Sequence, residues 1–320
     1  MMNLRDIWKA RAVIKRELPP TPLMHSSELS AFTGVPVYLK LEQLQPSGSF
    51  KLRGATHMIA SLTDAQKAKG VVTFSTGNHG FAVARAAAAH GIRAVICVAE
   101  TVTHAKIEAL QQSGAELRIE GKSQDEAGKI SAELVQKEGL TLIPPFDHPF
   151  IIAGQGTIGL ELLEELPDIS AVIAGLSGGG LLSGLGLAMK EADPSIQVHG
   201  VTISKGAAMQ ESLKAGHPVE VEETPTLADS LLGGIGLDNQ YTMAMIERYT
   251  DIRCAVSEEA IARAMAFLYK KHRLIVEGGA AVGVSALLEK TIRPDGPTVI
   301  VITGNSIDPA VHYETVAPYL

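Results

Sequence analysis

Val71-Val-Thr-Phe74 is a short β-branched, apolar run, followed at once by Ser75-Thr-Gly-Asn-His-Gly80 and then by an alanine-rich stretch of helical period through His90. Four extended residues, a turn of small polar residues and a helix make one βα unit. Read outward in both directions, the pattern repeats. Strands are expected at Val37–Leu41, Ala94–Val98, Glu116–Ile119, Ala171–Ala174, Val198–Ile203 and Thr298–Thr303. Helices are expected at Leu52–Ser61, Asn78–His90, Ala105–Ser113, Gln124–Glu138, Thr157–Leu166, Leu181–Glu191 and Glu258–His272. Such alternation predicts an α/β fold on a largely parallel sheet. Val71 to Ile143 holds enough units for a lobe of its own, and no repeat, low-complexity tract or Pro-rich linker divides the chain, so the lobes are expected to interleave.

The bulk numbers narrow the function classes. At 320 residues the chain can bury a large core or two unequal ones, and 46% hydrophobic against 20% charged residues is the balance of a folded protein. A formal net charge of −7 argues against a grip on nucleic-acid phosphates. The most basic stretch, Lys270-Lys-His-Arg273, reads as the cationic last turn of a helix. Two cysteines, Cys97 and Cys254, show no framework spacing, and Met1 to Lys15 mixes charges with apolar residues instead of forming a secretory apolar core, so a cytoplasmic protein is expected. Ile169–Met189 lacks charge over the length of a membrane span, but its six glycines read as strand, loop and helix, so no membrane partner is expected.

Ligands of open α/β sheets bind beyond the carboxyl ends of strands, which directs attention to the strand-to-helix junctions. In Ser47-Gly-Ser-Phe-Lys51-Leu-Arg-Gly54 a lysine opens a helix after a small flexible loop. Lysine forms Schiff bases with aldehydes when burial lowers its pKa, although a lysine at a helix start is by itself ordinarily a surface residue. In Ser75–Gly80 the free N–H groups of a helix start can face an anion, or the polar residues can simply cap the helix. In Ser177-Gly-Gly-Gly-Leu181 three consecutive glycines favour a phosphate cradle over a mere turn, and no Walker lysine accompanies them.

Competing motifs are weaker. Gly154-Gln-Gly-Thr-Ile-Gly159 spells the dinucleotide fingerprint before a helix, but the acidic residue expected about 20 positions on is missing. The ten histidines show no H-E-x-x-H and no Cys/His ligand spacing, so no metal is expected.

The lysine loop, S-T-G-N-H-G and S-G-G-G-L, in this order and spacing, closely resemble the fold-type II pyridoxal-phosphate enzymes of the threonine dehydratase and serine racemase group, over essentially the whole chain. The resemblance implies two open, largely parallel sheets with helices on both faces, as in the tryptophan synthase β-like fold. It implies two interleaved lobes, a small one over 66–145 and a large cofactor-binding one over 1–65 and 146–320. It makes Lys51 the Schiff-base lysine and α-carbon base, places Phe50 against the pyridine ring, and gives Asn78 the ring 3-hydroxyl. Gly178, Gly179, Gly180 and Leu181 would bind the phosphate of pyridoxal 5'-phosphate, Ser75, Thr76 and His79 would surround the substrate carboxylate, and Thr303 would face the pyridine nitrogen. A neutral hydroxyl there makes the ring a weaker electron sink, which favours elimination. The group further implies a homodimer.

Departures discriminate within the group. Serine racemases place a serine base where this chain has Thr76, so racemisation should be minor, and their cation-binding acids have no match in Thr202-Ile-Ser-Lys-Gly-Ala-Ala208. The family's Ser-Gly-x-Asn motif appears as Thr303-Gly-Asn-Ser306, which leaves the role of Asn305 or Ser306 open, and the chain stops soon afterwards, where a feedback domain would follow. A finer likeness to the hydroxyectoine-utilization dehydratases rests on Ser123-Gln-Asp-Glu-Ala127, Pro144-Pro-Phe-Asp-His-Pro149, Gly206-Ala-Ala-Met209, Pro225-Thr-Leu-Ala-Asp-Ser-Leu231 and Gly233-Gly-Ile-Gly-Leu-Asp-Asn239. The expected activity is loss of water, then ammonia, from a 3-hydroxy amino acid. The substrate is threonine, serine or a hydroxylated diaminobutyrate whose second amine would meet Asp147 or Asp238. The alternatives are a serine racemase-type enzyme and a non-catalytic cofactor-binding protein.

Overall fold

The computed structural model describes residues 2–100, 102, 104–122 and 124–320; Met1, Thr101, Thr103 and Ser123, the last opening one of the branch-like segments, lie outside the described residues. The strands are β1 (Leu23–His25), β2 (Val37–Leu41), β3 (Val71–Phe74), β4 (Ala94–Val98), β5 (Glu116–Ile119), β6 (Thr141–Leu142), β7 (Ala171–Gly175), β8 (Gln197–Ile203), β9 (Ile252–Val256) and β10 (Thr298–Ile302). The helices of the first half are α1 (Leu4–Glu17), α2 (Ser27–Thr33), α3 (Lys51–Ala60), α4 (Asp64–Lys69), α5 (Asn78–Ala89), α6 (His104–Gln112) and α7 (Gln124–Glu138). Those of the second half are α8 (Pro149–Glu165), α9 (Gly180–Ala192), α10 (Ala208–Ala215), α11 (Thr242–Tyr249), α12 (Glu258–Phe267), α13 (Gly278–Leu288) and α14 (Pro309–Val316).

Two sheets with helical layers result, an α/β architecture as expected. The larger runs β1-β2-β10-β7-β8-β9, parallel except for the edge strand β1; the smaller, β5-β4-β3-β6, is wholly parallel. The inner strands β2, β10, β7 and β8 of the larger sheet and β3 and β4 of the smaller are buried, which explains why they read as apolar runs without alternation, whereas the edge strands β5 and β9 are largely exposed. The uncharged Ile169–Met189 segment resolves into β7, a turn and the buried α9, and no helix among the described residues is long and apolar enough to cross a membrane.

The helix α8 departs from its expected start at Thr157. It begins at Pro149, where proline needs no helical partner and the His148 side chain accepts the Phe150 N–H. The dinucleotide-like glycines therefore lie inside the helix and not in a turn before it. A Cβ at Gly154 would stand 2.7 Å from the Arg53 carbonyl oxygen and from Gly54 Cα, one at Gly156 3.0 Å from the Gly184 oxygen, and one at Gly159 2.6 Å from Ala188 Cβ. These glycines let α3 and α9 press against α8, and the dinucleotide fingerprint lacks the turn it would need. The helix expected to run through His272 ends at Phe267 and widens into a last turn over Leu268–His272, closed by Arg273 in the left-handed region.

A buried ion network locks the same helices. Arg53 on α3, fully buried, donates from Nε and Nη2 to the two Glu42 oxygens and from Nη1 and Nη2 to those of Glu161 on α8, all at 2.8 Å. Glu161 also pairs with Lys40 of β2 at 3.0 Å and with Arg11 of α1 at 2.9 Å. Burial works against the charge of Glu161, but Arg53 and Lys40 together outweigh it, and the carboxyl is held below its usual range. Removing one partner of such a cluster leaves charge buried without compensation. Arg53→Met is expected to lower the unfolding free energy by about 3–5 kcal/mol, read as a fall in the urea midpoint. Stability owed to the depressed Glu161 carboxyl is present above the ordinary carboxylate pKa and is lost as pH falls through the folded value, so the gap to Glu161→Gln should close in acid.

Candidate active site

The three junctions meet beyond the carboxyl ends of the strands, joined by the Pro145–Phe146 segment and by the contact of Asn78 with Glu277. Lys51 is the first residue of α3, and its Nζ donates to the Pro145 carbonyl at 2.8 Å, across to the segment that leaves β6. The residue as a whole keeps some exposure, yet the surroundings of its amine are dense: desolvation lowers its pKa to about 8, an effect that the Glu277 carboxylate partly opposes. An amine of that pKa is neutral in roughly a tenth of molecules at pH 7. The Phe50 ring centre lies 5.4 Å from the same Nζ, and the Phe50 N–H donates to the Thr303 carbonyl at 3.0 Å. Ser49 bridges to Gly304 and Gly48 accepts the Asn305 N–H, so the lysine loop is pinned to the end of β10.

Asn78 opens α5 and is buried. Its Nδ2 lies 2.9 Å from both carboxylate oxygens of Glu277, while its Oδ1 is buried without a partner. Glu277, missed in the sequence, is 2% exposed and immediately precedes α13; it accepts the Ser306 N–H at 3.1 Å, and its own N–H donates to the Gly304 carbonyl. Burial raises its pKa, which the Asn78 and Ser230 contacts oppose. The available signal was an acid ahead of paired glycines, Glu277-Gly-Gly279, after the apolar Leu274–Val276.

Ser75 and Thr76 are half-buried between β3 and α5, where the Ser75 hydroxyl accepts the Gly77 N–H. His79 lies in the same turn but its imidazole is committed elsewhere: Nε2 donates to the Ile143 carbonyl at 2.9 Å. Burial, and then the nearby Lys51 charge, lower its pKa to about 3, so the ring is neutral. What His79 retains for an anion is its main-chain N–H, one of the unpaired donors of the helix start.

On the opposite side Gly179 caps α9 with φ +88°, a conformation that favours glycine, and the first helical hydrogen bond is Ser183 N–H to the Gly179 carbonyl. The N–H groups of Gly180, Leu181 and Leu182 thus head the helix without helical partners. Gly178 and Gly180 have a packing reason of their own: a Cβ would stand 2.3 Å from the Phe146 ring at the first and 3.0 Å from Phe146 Cα at the second. Glycines here therefore admit the Pro145–Phe146 segment that receives Lys51. Thr303 is buried directly beyond β10.

Other candidates fall away. Asp147 accepts the N–H groups of Gln240, Tyr241 and Thr242 at 2.7, 3.0 and 2.8 Å, capping α11, and Asp238 is exposed in its loop. Neither carboxylate is poised for a second substrate amine. Gly175-Leu-Ser-Gly-Gly179 also spells a serine nucleophile elbow, but among the described residues no histidine hydrogen-bonds Ser177. No group of three metal-ligating side chains occurs among the described residues.

Comparison with known proteins agrees with this arrangement. Residues 14–304 match the family described as pyridoxal-phosphate dependent enzyme. A Sinorhizobium fredii protein whose name assigns it provisionally as a threonine dehydratase is 46% identical over 98% of this chain and 95% of its own length. The L-threonine ammonia-lyase of Thermotoga maritima is 40% identical over 96% of this chain and 76% of its own. Among solved structures, maize serine racemase superposes with a TM-score of 0.92 at 32% identity, covering 99% of this chain and 97% of that one. Threonine deaminase isoform 2 of Solanum lycopersicum gives 0.90 at 32%, covering 99% and 89%. With the lysine, the two helix starts and the buried amide assembled beyond strands of both sheets, and with likeness along its whole length, the chain belongs to the fold-type II pyridoxal-phosphate dependent enzymes, in the threonine dehydratase and serine racemase-like group.

Proposed function

We propose that this chain dehydrates and deaminates a small 3-hydroxy amino acid, threonine or serine, to a 2-oxo acid and ammonia. The single observation that carries the reading is the buried Lys51 amine, with its pKa brought to about 8, set beside two helix starts with unpaired N–H groups. The residues present fit the family's cofactor. A phosphorylated aromatic aldehyde needs an amine, which Lys51 supplies, and an anion site, which the Gly178–Leu181 turn at the head of α9 supplies. Its ring hydroxyl needs a polar partner, and the orphaned Asn78 Oδ1 is one; Phe50 offers a ring face and Thr303 a neutral hydroxyl.

When bound, the cofactor withdraws electrons from the substrate α-carbon so that its proton can leave. The chain's own residues do the rest. Lys51, freed by the incoming amine, takes the α-proton; its lowered pKa suits a base working near neutral pH. The Ser75–Gly80 turn, through hydroxyls and main-chain N–H groups, orients the substrate carboxylate and so fixes which bond faces Lys51. Loss of the α-proton and the 3-hydroxyl removes one water, and hydrolysis of the enamine's C–N bond consumes one and releases ammonia. Thr303, unlike a carboxylate, does not hold the pyridine nitrogen protonated, which favours this elimination.

Racemisation is the second reading, motivated by the likeness to maize serine racemase. It needs a proton carrier opposite Lys51, and the Thr76 hydroxyl is a poor one. A hydroxylated diaminobutyrate, the substrate that the hydroxyectoine-utilization likeness adds, ranks below threonine and serine because Asp147 is spent as a cap. Two free cysteines fit a reducing cytoplasm, and a homodimer is part of the same proposal.

Incubation of the cofactor-loaded protein with L-threonine is expected to yield 2-oxobutanoate and ammonia in equal amounts. Lys51→Ala should lower the rate by about 10³ or more and abolish borohydride trapping of the cofactor. Conversion of L-serine to D-serine faster than to pyruvate would replace the dehydratase by a racemase; a trapped cofactor with no product from any of the three amino acids would leave only a binding protein. A second expectation concerns pH. Only the neutral amine attacks an aldehyde, so cofactor capture by cofactor-free protein should rise about tenfold per pH unit from pH 6 to 7 and level near pH 8, not near the 10.5 of an ordinary lysine. Stopped-flow absorbance reads this directly.

A further inference from the structure

Asn78 and Glu277 are 199 residues apart in sequence and lie on helices of different sheets, α5 after β3 and α13 beside β10. The Asn78 amide nitrogen faces both Glu277 oxygens at 2.9 Å. Hydrogen bonds from Asn78, Ser230 and the Ser306 N–H favour the ionised Glu277 against its burial, and an ionised carboxylate only accepts, so the amide nitrogen and not its oxygen faces both oxygens. Glu277 is itself held from the main chain: it accepts the Ser306 N–H, and its own N–H is tied to the Gly304 carbonyl. Space is fitted to this pair, because a Cβ at Gly304 would stand 3.0 Å from Glu277 Oε1 and 3.2 Å from Asn78 Nδ2. What remains is the buried Asn78 Oδ1, an acceptor with no donor in the protein. Leaving such an atom unpaired costs about 1–3 kcal/mol, so the arrangement is made for a donor that the chain does not supply.

We propose that Glu277 is a positioning residue for the cofactor: it fixes the Asn78 amide so that its carbonyl oxygen accepts from the cofactor's ring hydroxyl. The inference rests on the cofactor placement proposed above, and it is independent of which amino acid is turned over. An acceptor opposite the ring oxygen favours the form in which that oxygen keeps its proton; an N–H there would favour the ionised form. Glutamine at 277 has nearly the same shape but can donate as well as accept, so it removes the reason for one amide orientation and lets a share of molecules present N–H to the ring.

The test is the absorbance of the bound cofactor in wild type, Glu277→Gln and Glu277→Asp, with cofactor dissociation constants and urea midpoints measured alongside. In E277Q the longer-wavelength band near about 410 nm is expected to gain at least about twofold over the band near about 330 nm, and the cofactor dissociation constant to rise roughly three- to tenfold, with the urea midpoint unchanged. E277D keeps the charge with a shorter reach and should fall between; should E277Q fail to fold, E277D against wild type carries the same comparison. Combining E277Q with Asn78→Ala should shift the spectrum no further than Asn78→Ala alone. A band ratio and dissociation constant equal to wild type in E277Q, or a further spectral shift in the double variant, would overturn the proposal. Failure of threonine, serine and the diaminobutyrate as substrates would leave it standing.

Discussion

Everything at the site depends on how closely α8 approaches α3. Lys51 is the first residue of α3, and a helix start is placed only as well as the helix is. Gly154 of α8 lies so near Gly54 and the Arg53 carbonyl that no larger side chain fits between them, and Gly184 of α9 meets α8 from the other side, where a Cβ would stand 2.4 Å from the Ile152 oxygen. Backbone contact of this kind fixes separation and register together, because close-packed interiors shift in discrete steps and not by gradual sliding. The Arg53 forks then fix rotation: Glu42 beyond β2 and Glu161 on α8 take the guanidinium in plane, two residues along from the lysine. The short distance from Arg53 to Lys51 links a stability network to a chemical one.

The same economy joins the two sheets. The Ile143 carbonyl accepts from the Thr73 hydroxyl and from the His79 ring, both at 2.9 Å, which holds the strand end of β6 against β3. Two residues on, Pro145 receives the Lys51 amine, and Phe146 fills the space that Gly178 and Gly180 leave open. One segment of a few residues thereby touches the amine, the start of α9 and the small sheet. Asn78 and Glu277 make the second crossing between the sheets. A site built across two crossings is set by the fold and not by any one loop.

The strands β2, β3, β4, β5 and β7 and the three junctions could be read from the sequence because each signal is local: a β-branched run, then small residues, then helical period. What could not be read was long-range or lacked period. The helix α13 is buried from Gly278 to Leu287, so it has no polar face to reveal it. The glycines of α8 imitate a phosphate turn in letters, and only the packing of three helices distinguishes them. The imidazole of His79 and the carboxylate of Asp147 are polar groups in suggestive motifs that the fold spends on main-chain partners, Ile143 and the start of α11. Glu277 was invisible for the opposite reason, since its partner lies 199 residues away. Sequence motifs mark where side chains start; the partners that decide what they do are chosen by topology.

The charge pattern follows from the same geometry. Burial lowers Lys51 and His79 toward their neutral forms, and at Glu277 it raises the pKa against the hydrogen bonds from Asn78, Ser230 and Ser306 that favour the ionised carboxylate. On the proposed reading the pocket would hold a phosphate and a carboxylate, for which arginines are the ordinary choice, but a guanidinium beside Lys51 would lower its pKa further, and a second lysine would compete for the aldehyde. Helix starts avoid both problems. Their N–H groups carry partial charge, hold no titratable proton and cannot act as nucleophiles. Arg53, two residues from Lys51 in sequence, is spent on Glu42 and Glu161. On the proposed reading, two anions would then be bound without a second nucleophile or a further titratable cation beside the reactive amine, which suits a lysine that would serve in turn as cofactor anchor and as base.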